Sequence, residues 1–146
     1  MRLGALLLVA CSGAGTASRT TPSAETAKAV LPDVPFAQLD DEQRHDFMEQ
    51  VVMPAMEPMF KGHDAKRYAD FGCVTCHGKQ ALDGKYEMPN AELPKLDFND
   101  LSKFKETDLE WMRRVKPAMA DLLRRPVWTE DNPTGFGCEG CHPTVE

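Results

Sequence analysis

Cys73-Val74-Thr75-Cys76-His77 and Cys138-Glu139-Gly140-Cys141-His142 are the two stretches of this sequence that decide its fold. Both read C-x-x-C-H, the attachment pattern of a covalent c-type haem. Two cysteines at this spacing can each bond to one haem vinyl group, and the adjacent histidine can bind the iron as its proximal ligand. The pattern predicts two haem c groups, with thioether bonds at Cys73, Cys76, Cys138 and Cys141 and iron ligands at His77 and His142.

Paired cysteines also serve other chemistries, which have to be weighed against haem. Four cysteines can surround one zinc ion, and each pair could form a disulfide or a redox-active dithiol. None of these explains why a histidine follows both pairs directly. No strand-helix-strand pattern of the thioredoxin type surrounds either pair. We therefore favour haem and keep a zinc-stabilised module with four cysteine ligands as an alternative.

The N-terminus has the layout of an export signal. Met1-Arg2 is followed by an apolar run over Leu3–Ala10 and then by the fifth cysteine, Cys11. A basic residue before a short apolar segment is typical of a secretory signal, and this run is shorter than the ~20 residues that span a bilayer. Leu8-Val9-Ala10-Cys11 resembles a bacterial lipobox, which predicts a signal peptide over 1–10 and a lipid anchor on Cys11. An ordinary signal with an incidental cysteine is the alternative.

Export agrees with the haem prediction, because bacteria attach c-type haem outside the cytoplasm. The expected location is the periplasmic side of the cell envelope, with Ser12 favouring the outer membrane. Residues 11–32 are small and polar without aromatic side chains, so we expect a disordered, flexible tether. Residues 33–146 would form one domain. The formal net charge of −6 argues against nucleic acid as a partner.

Two amphipathic helices are predicted. The first runs from about Asp40 to Phe60, with Asp40 as its N-cap and Gln43 three residues later. The second runs from about Thr107 to Leu123 and starts on a predicted capping box. Strand signals are scarce. Prolines inside helices remove backbone donors, so we expect bends at Pro54, Pro58 and Pro117.

The two helices belong to a repeat that suggests distal iron ligands. Each unit, about 40–80 and about 107–142, reads helix, Pro-Ala-Met, connecting segment and then Gly-C-x-x-C-H. The repeat places Met56 and Met119 at equivalent positions, where each thioether could face a haem. Both could equally be core residues, since methionine fills irregular gaps. The alternative distal ligands are Met59, Met88 and His63.

A methionine on a helix upstream of a repeated C-x-x-C-H, in a lipid-anchored chain, resembles the multihaem cytochrome subunit of photosynthetic reaction centres. The resemblance covers about residues 40–142, and its specific elements are the two motifs. It implies that Met56 pairs with His77 and Met119 with His142. The chain departs from that family by having two motifs where four are usual, so the resemblance supports an exported multihaem cytochrome more than a photosynthetic role.

These observations predict a small all-α cytochrome c domain whose long loops, including Gly78–Asn99, pack around two covalent haems. The expected function is electron transfer by a lipid-anchored dihaem protein that exchanges electrons with redox partner proteins. It would be a carrier and not an enzyme. A dihaem peroxidase or a gas-binding protein with one open iron site is the alternative within haem chemistry.

Overall fold

The computed structural model describes residues 30–98 and 100–145, in which all regular structure is helical. The α-helices are α1 (Asp41–Phe47), α2 (Met53–His63), α3 (Cys73–His77) and α4 (Glu106–Leu122). A π-helical turn (Met48–Val52) joins α1 to α2, and single 3₁₀ turns lie at Phe36–Gln38, Lys79–Asp83 and Cys138–Gly140. Within these residues the only β-type pairings are isolated bridges. The predicted all-α class is confirmed at this level.

The first predicted helix is one continuous run from α1 through the π turn to α2. Its predicted N-cap is confirmed: the Asp40 carboxylate accepts from the Gln43 N–H at 2.9 Å, and the Gln43 side chain accepts from the Asp40 N–H at 3.1 Å. The π turn immediately precedes Pro54, at the start of α2. A wider turn gives the proline ring room beside the preceding carbonyls, which explains why the helix continues here.

The second predicted helix starts one residue earlier than expected, and its predicted capping box is wrong. Lys105 is the N-cap and no side chain caps it, so Thr107 lies inside α4. Two acidic residues in the first turn, Glu106 and Asp108, favour the positive end of the helix dipole and support this start. Pro117 lies within the helix without ending it.

The core lies where the π turn and α2 meet α4. Val52 and Met56 pack on Trp111 and Val115, and all four are buried. The Trp111 indole N–H donates to the Met59 carbonyl at 3.1 Å, so this large ring is both buried and hydrogen-bonded. The predicted apolar faces of the two helices are therefore the faces that meet.

A second cluster forms at the C-terminal end of α4, where Ala120, Leu123 and Phe136 are buried together. Partly buried side chains pack on it, among them Met119 and Cys141. This cluster brings the last part of the chain back onto α4, so the second C-x-x-C-H motif sits against the helix end.

The predicted signal peptide, the lipidated Cys11 and nearly all of the predicted tether lie outside the described residues. None of the helices in residues 30–98 and 100–145 has the length and apolar character needed to cross a bilayer.

Candidate cofactor-attachment site

The first motif forms the short helix α3. The Thr75 hydroxyl accepts a hydrogen bond from the Gly72 N–H at 3.0 Å, which fixes the start of this turn. Cys73, Cys76 and His77 are then carried on little more than one helical turn. The helix ends at Gly78, whose φ of 73° is a conformation that side-chain-bearing residues rarely adopt.

The second motif forms a tighter 3₁₀ turn over Cys138–Gly140, closed by a hydrogen bond from the Cys141 N–H to the Cys138 carbonyl at 3.1 Å. The His142 N–H donates to the same carbonyl at 2.9 Å. The Phe136 ring packs directly over Gly140, where a Cβ atom would lie 2.8 Å from the ring. The glycine between the two cysteines therefore lets the motif approach the cluster at the end of α4.

Asn90 joins the two motifs. This buried residue is only 3% exposed, and its side-chain amide donates to the Cys76 carbonyl at 2.9 Å. Its backbone N–H donates to the Cys141 carbonyl, also at 2.9 Å. Gly78 makes room for it, since a Cβ at that position would lie 2.8 Å from the Asn90 side-chain oxygen. Two motifs 65 positions apart in sequence thus meet at one residue of the connecting segment.

The same segment holds the ring of His142. The Nδ1 atom of His142 lies 3.0 Å from the carbonyl oxygen of Pro94. Because a carbonyl can only accept, Nδ1 carries a proton in this contact, and in the neutral ring Nε2 then holds the lone pair. This is the second-shell arrangement of metal-binding histidines, in which one ring nitrogen donates to a fixed acceptor and the other is presented to the metal.

His77 has a different environment. Its Nδ1 atom is buried. Burial lowers the pKa of His77, and a hydrogen bond with the Tyr86 backbone raises it by less, so a neutral ring is favoured. The ring of Tyr86 lies edge-on to the ring of His77, with 5.3 Å between the ring centroids. It also lies edge-on to the ring of His45, at 5.8 Å.

The four motif cysteines are free thiols and form no disulfide. Burial raises the pKa of Cys76 to about 12 and that of Cys141 to about 11, and it also raises the pKa of Cys138. Reactive dithiols need lowered values, so this environment argues against thioredoxin-like chemistry. In residues 30–98 and 100–145 no three or more Cys, His, Asp or Glu side chains converge on one metal-binding point.

The two predicted distal ligands differ in how deeply they are buried. Met56 is 2% exposed and lies in the core between α2 and α4. Phe71, two residues before the first motif, packs against the same cluster. Met119 is partly buried in the same cluster as Cys141. Each repeat methionine therefore lies in the apolar cluster next to its own motif.

The alternative ligands are placed as follows. His63 is engaged in the core: its Nε2 atom lies 2.8 Å from an Asp108 carboxylate oxygen, and its ring stacks on Trp111 at 4.4 Å. Met59 is partly buried beside the same core. Met88 is exposed and follows Tyr86 by two residues, on the segment that contacts His77.

The sequence did not reveal the roles of Asn90, Pro94 and Tyr86. Asn90 contacts backbone carbonyls of both motifs, and Pro94 contacts the His142 ring through its own backbone carbonyl. No residue pattern encodes such contacts. A buried asparagine in a proline-rich loop is the one feature that could have drawn attention to this segment. The predicted wrapping of Gly78–Asn99 around a haem stays a prediction.

Comparisons of this chain with protein-family models, with curated proteins and with solved structures find no match.

Proposed function

We propose that this chain is an exported electron carrier that holds two haem c groups, one on each C-x-x-C-H motif, and exchanges single electrons with redox partner proteins. The observation that carries the proposal is the convergence of both motifs on Asn90, with a motif histidine oriented for metal binding beside them. A four-cysteine zinc site would also bring the pairs together, so it is the histidine directly after each pair that favours haem.

The residues present fit the group. Four uncommitted thiols stand in two pairs of the required spacing. His142 keeps its Nε2 lone pair because Nδ1 donates to Pro94. Burial lowers the pKa of His77, which favours the neutral ring that an iron ligand requires. Val74, Leu82 and Tyr86, in and after the first motif, expose apolar surface that a porphyrin face would cover.

Haem supplies an iron that alternates between the ferrous and ferric states, and the chain controls that chemistry through ligands, burial and hydrogen bonds. The chain's own part is positional. Asn90 fixes the first motif against the second, and Pro94 fixes the ring of His142. Such a site needs no catalytic acid or base, since an electron moves without a proton.

For the distal positions we propose Met119 at the second site and Met88 at the first. Met119 shares an apolar cluster with Cys141, and Met88 is exposed on the segment that contacts His77. Met56, the repeat candidate for the first site, is enclosed by core side chains and would have to leave them to meet an iron. Met59 and His63 stay alternatives, although the Asp108 contact engages His63.

The proposal includes the cell envelope. A lipid on Cys11 and a tether over 11–32 would hold the carrier on the periplasmic side of a membrane, with the outer membrane favoured by Ser12. The electron donor and acceptor would be envelope proteins. The acidic balance of the chain suits a partner with basic surface around its own redox centre.

The test is haem content. The full chain is produced with its export signal and recovered from the membrane fraction, and absorption spectra are recorded in the oxidised and reduced states. We expect two haems per chain and a mass increase equal to two haem groups on a denatured polypeptide. A colourless protein, or one carrying zinc, overturns the proposal. Carbon monoxide binding to the reduced protein would instead indicate an open iron and the gas-binding or peroxidase alternative.

A further inference from the structure

Two aromatic side chains pack on the glycines of the second motif. Gly137 stands directly before Cys138, and a Cβ atom there would lie 3.2 Å from the Cβ atom of Trp128. Gly140 lies between the two cysteines, where a Cβ atom would lie 2.8 Å from the Phe136 ring. The Trp128 N–H donates to the Phe136 carbonyl at 3.0 Å, which fixes these two residues relative to each other. Both side chains therefore lie along the attachment turn.

Each of these two rings has a basic side chain over it. The ammonium nitrogen of Lys116 lies 6.0 Å from the centroid of the Trp128 ring. The guanidinium carbon of Arg125 lies 5.5 Å from the centroid of the Phe136 ring. The face of an aromatic ring attracts a cation at such distances. The second motif thus has two positive charges beside it, each held by a ring that packs on the motif.

Neither of these two cations has a carboxylate partner among the residues that the structure describes, where the ion pairs involve other basic side chains. Their neighbours in sequence differ, since Arg113 pairs with Glu106 and Arg124 pairs with Asp33. Lys116 is also half-buried. Water screens a half-buried charge less than an exposed one, so an incoming carboxylate would be attracted more strongly there.

The Lys116 charge acts on the attachment cysteine itself. Burial raises the pKa of Cys138, while Lys116 lowers it and Glu139 raises it. Lys116 therefore lies within electrostatic range of the point where the second haem would be bonded. A haem carries two propionates, which are ionised at neutral pH and lie on the edge away from its thioether bonds. Long, flexible basic side chains that start beside the cysteines are suited to reach that edge.

We propose that Lys116 and Arg125 bind the two propionates of the haem at the second motif and so orient that haem on its turn. The inference rests on the proposed function. Two cations would meet two carboxylates, and the planar guanidinium of Arg125 can donate two parallel hydrogen bonds to one of them. Because the Trp128 and Phe136 rings already hold both basic side chains, less conformational freedom is lost when the haem binds.

The test uses the haem-loaded full chain with ¹³C at the propionate carboxyl carbons, followed by NMR through a pH titration. Lys116→Gln and Arg125→Gln remove one charge each and keep a polar side chain. We expect each variant to shift propionate signals of one haem, and the double variant to raise the pH at which they titrate by about one unit or more. Contacts between that haem and the Trp128 ring would identify it as the second. The inference is overturned if no propionate signal moves, or if both haems respond equally.

Two further variants separate a direct contact from a general effect of charge or fold. Lys116→Arg keeps the charge and should keep the propionate signals close to those of the wild type. Arg113→Gln removes an exposed charge from the same helix, one already paired with Glu106, and should leave all four propionates unchanged. Equal shifts in Arg113→Gln and Lys116→Gln, or failure of Lys116→Arg to restore the signals, contradict a contact with Lys116.

These outcomes separate the inference from the proposed function. A protein that carries two haems whose propionates do not respond keeps the proposed function and loses the inference. A chain without haem loses both.

Discussion

Replacing Asn90 with alanine should loosen the joint between the two motifs. The substitution removes the hydrogen bond from the side-chain amide to the Cys76 carbonyl, and the one that the side-chain oxygen accepts from the Glu92 N–H, both at 2.9 Å. Each such bond contributes about 1 kcal/mol, and a buried group left unpaired costs about 1–3 kcal/mol. With Asn90 only 3% exposed, we expect a loss of about 2–4 kcal/mol in the free energy of unfolding.

Two measurements on the haem-loaded protein would show this effect. Chemical denaturation gives the free energy of unfolding, and circular dichroism in the Soret region reports how the two haems are oriented relative to each other. Asn90→Ala should lower the first and reduce any paired Soret signal, because the first motif is no longer fixed against the second. Asn132→Ala is the control: it removes one side-chain hydrogen bond, with the Thr134 hydroxyl at 3.1 Å, in a turn away from the joint.

The reasoning would be refuted if Asn90→Ala unfolded within about 0.5 kcal/mol of the wild type, the range of ordinary surface substitutions, with the same Soret signal. Asn90→Asp tests the bond to the Cys76 carbonyl separately. It keeps an oxygen acceptor but loses the donor to the Cys76 carbonyl, so it should resemble the alanine variant. If the aspartate variant matched the wild type, the bond to Cys76 would not be what joins the motifs.

The same geometry supports three further predictions. Met119→Leu should abolish the sulfur-to-iron charge-transfer band of one haem. Met56→Leu should keep both bands and lower the free energy of unfolding by under about 1.5 kcal/mol. Loss of a band in Met56→Leu would restore Met56 as a ligand. His63→Ala should lower the free energy of unfolding, measured in thermal melts, by about 1–3 kcal/mol, because the contact with Asp108 and the stack on Trp111 are lost. Both haem spectra should stay unchanged. Altered spectra would make His63 a ligand. The raised pKa values of Cys76 and Cys141 mean that the folded chain without haem keeps thiol protons that the unfolded chain loses above pH 9.0, the ordinary value. Its stability should therefore fall by about 1.4 kcal/mol per thiol for each unit above that pH, up to about pH 11. The haem-loaded chain has thioethers at these positions and should not show this fall, so parallel denaturation series at about pH 8 and about pH 10.5 check it.

Sequence periodicity was enough to predict the helical class and the helix–helix core. The N-cap at Asp40 was predicted correctly because an aspartate followed by glutamine three residues later satisfies both partners of the box. The same pattern at Thr107 failed, since acidic side chains at Glu106 and Asp108 support an earlier start. Local patterns compete, and a sequence does not show which of two neighbouring starts has the lower free energy.

The motif residues could be proposed from sequence because their spacing is the one that haem attachment requires. Their surroundings could not, for a physical reason. The Pro94 carbonyl and the Cys76 carbonyl are backbone groups that every residue carries, so no side-chain pattern marks them as partners of His142 or Asn90. What selects them is the path of the connecting segment, and that path depends on long-range packing.

Two copies of one motif can lie in different surroundings. The C-x-x-C-H pattern fixes which groups attach a haem and which nitrogen can face an iron, but those properties are the same at both sites. Their surroundings differ, since the Pro94 carbonyl lies 3.0 Å from the His142 ring and the Tyr86 ring lies edge-on to that of His77. Because second-shell hydrogen bonds tune a metal site without changing its ligands, one loop placed against both copies of a motif can give the two copies different properties. Under the proposed function, a change in the Asn90–Leu96 segment should alter the surroundings of the His142 site while leaving both attachment motifs intact.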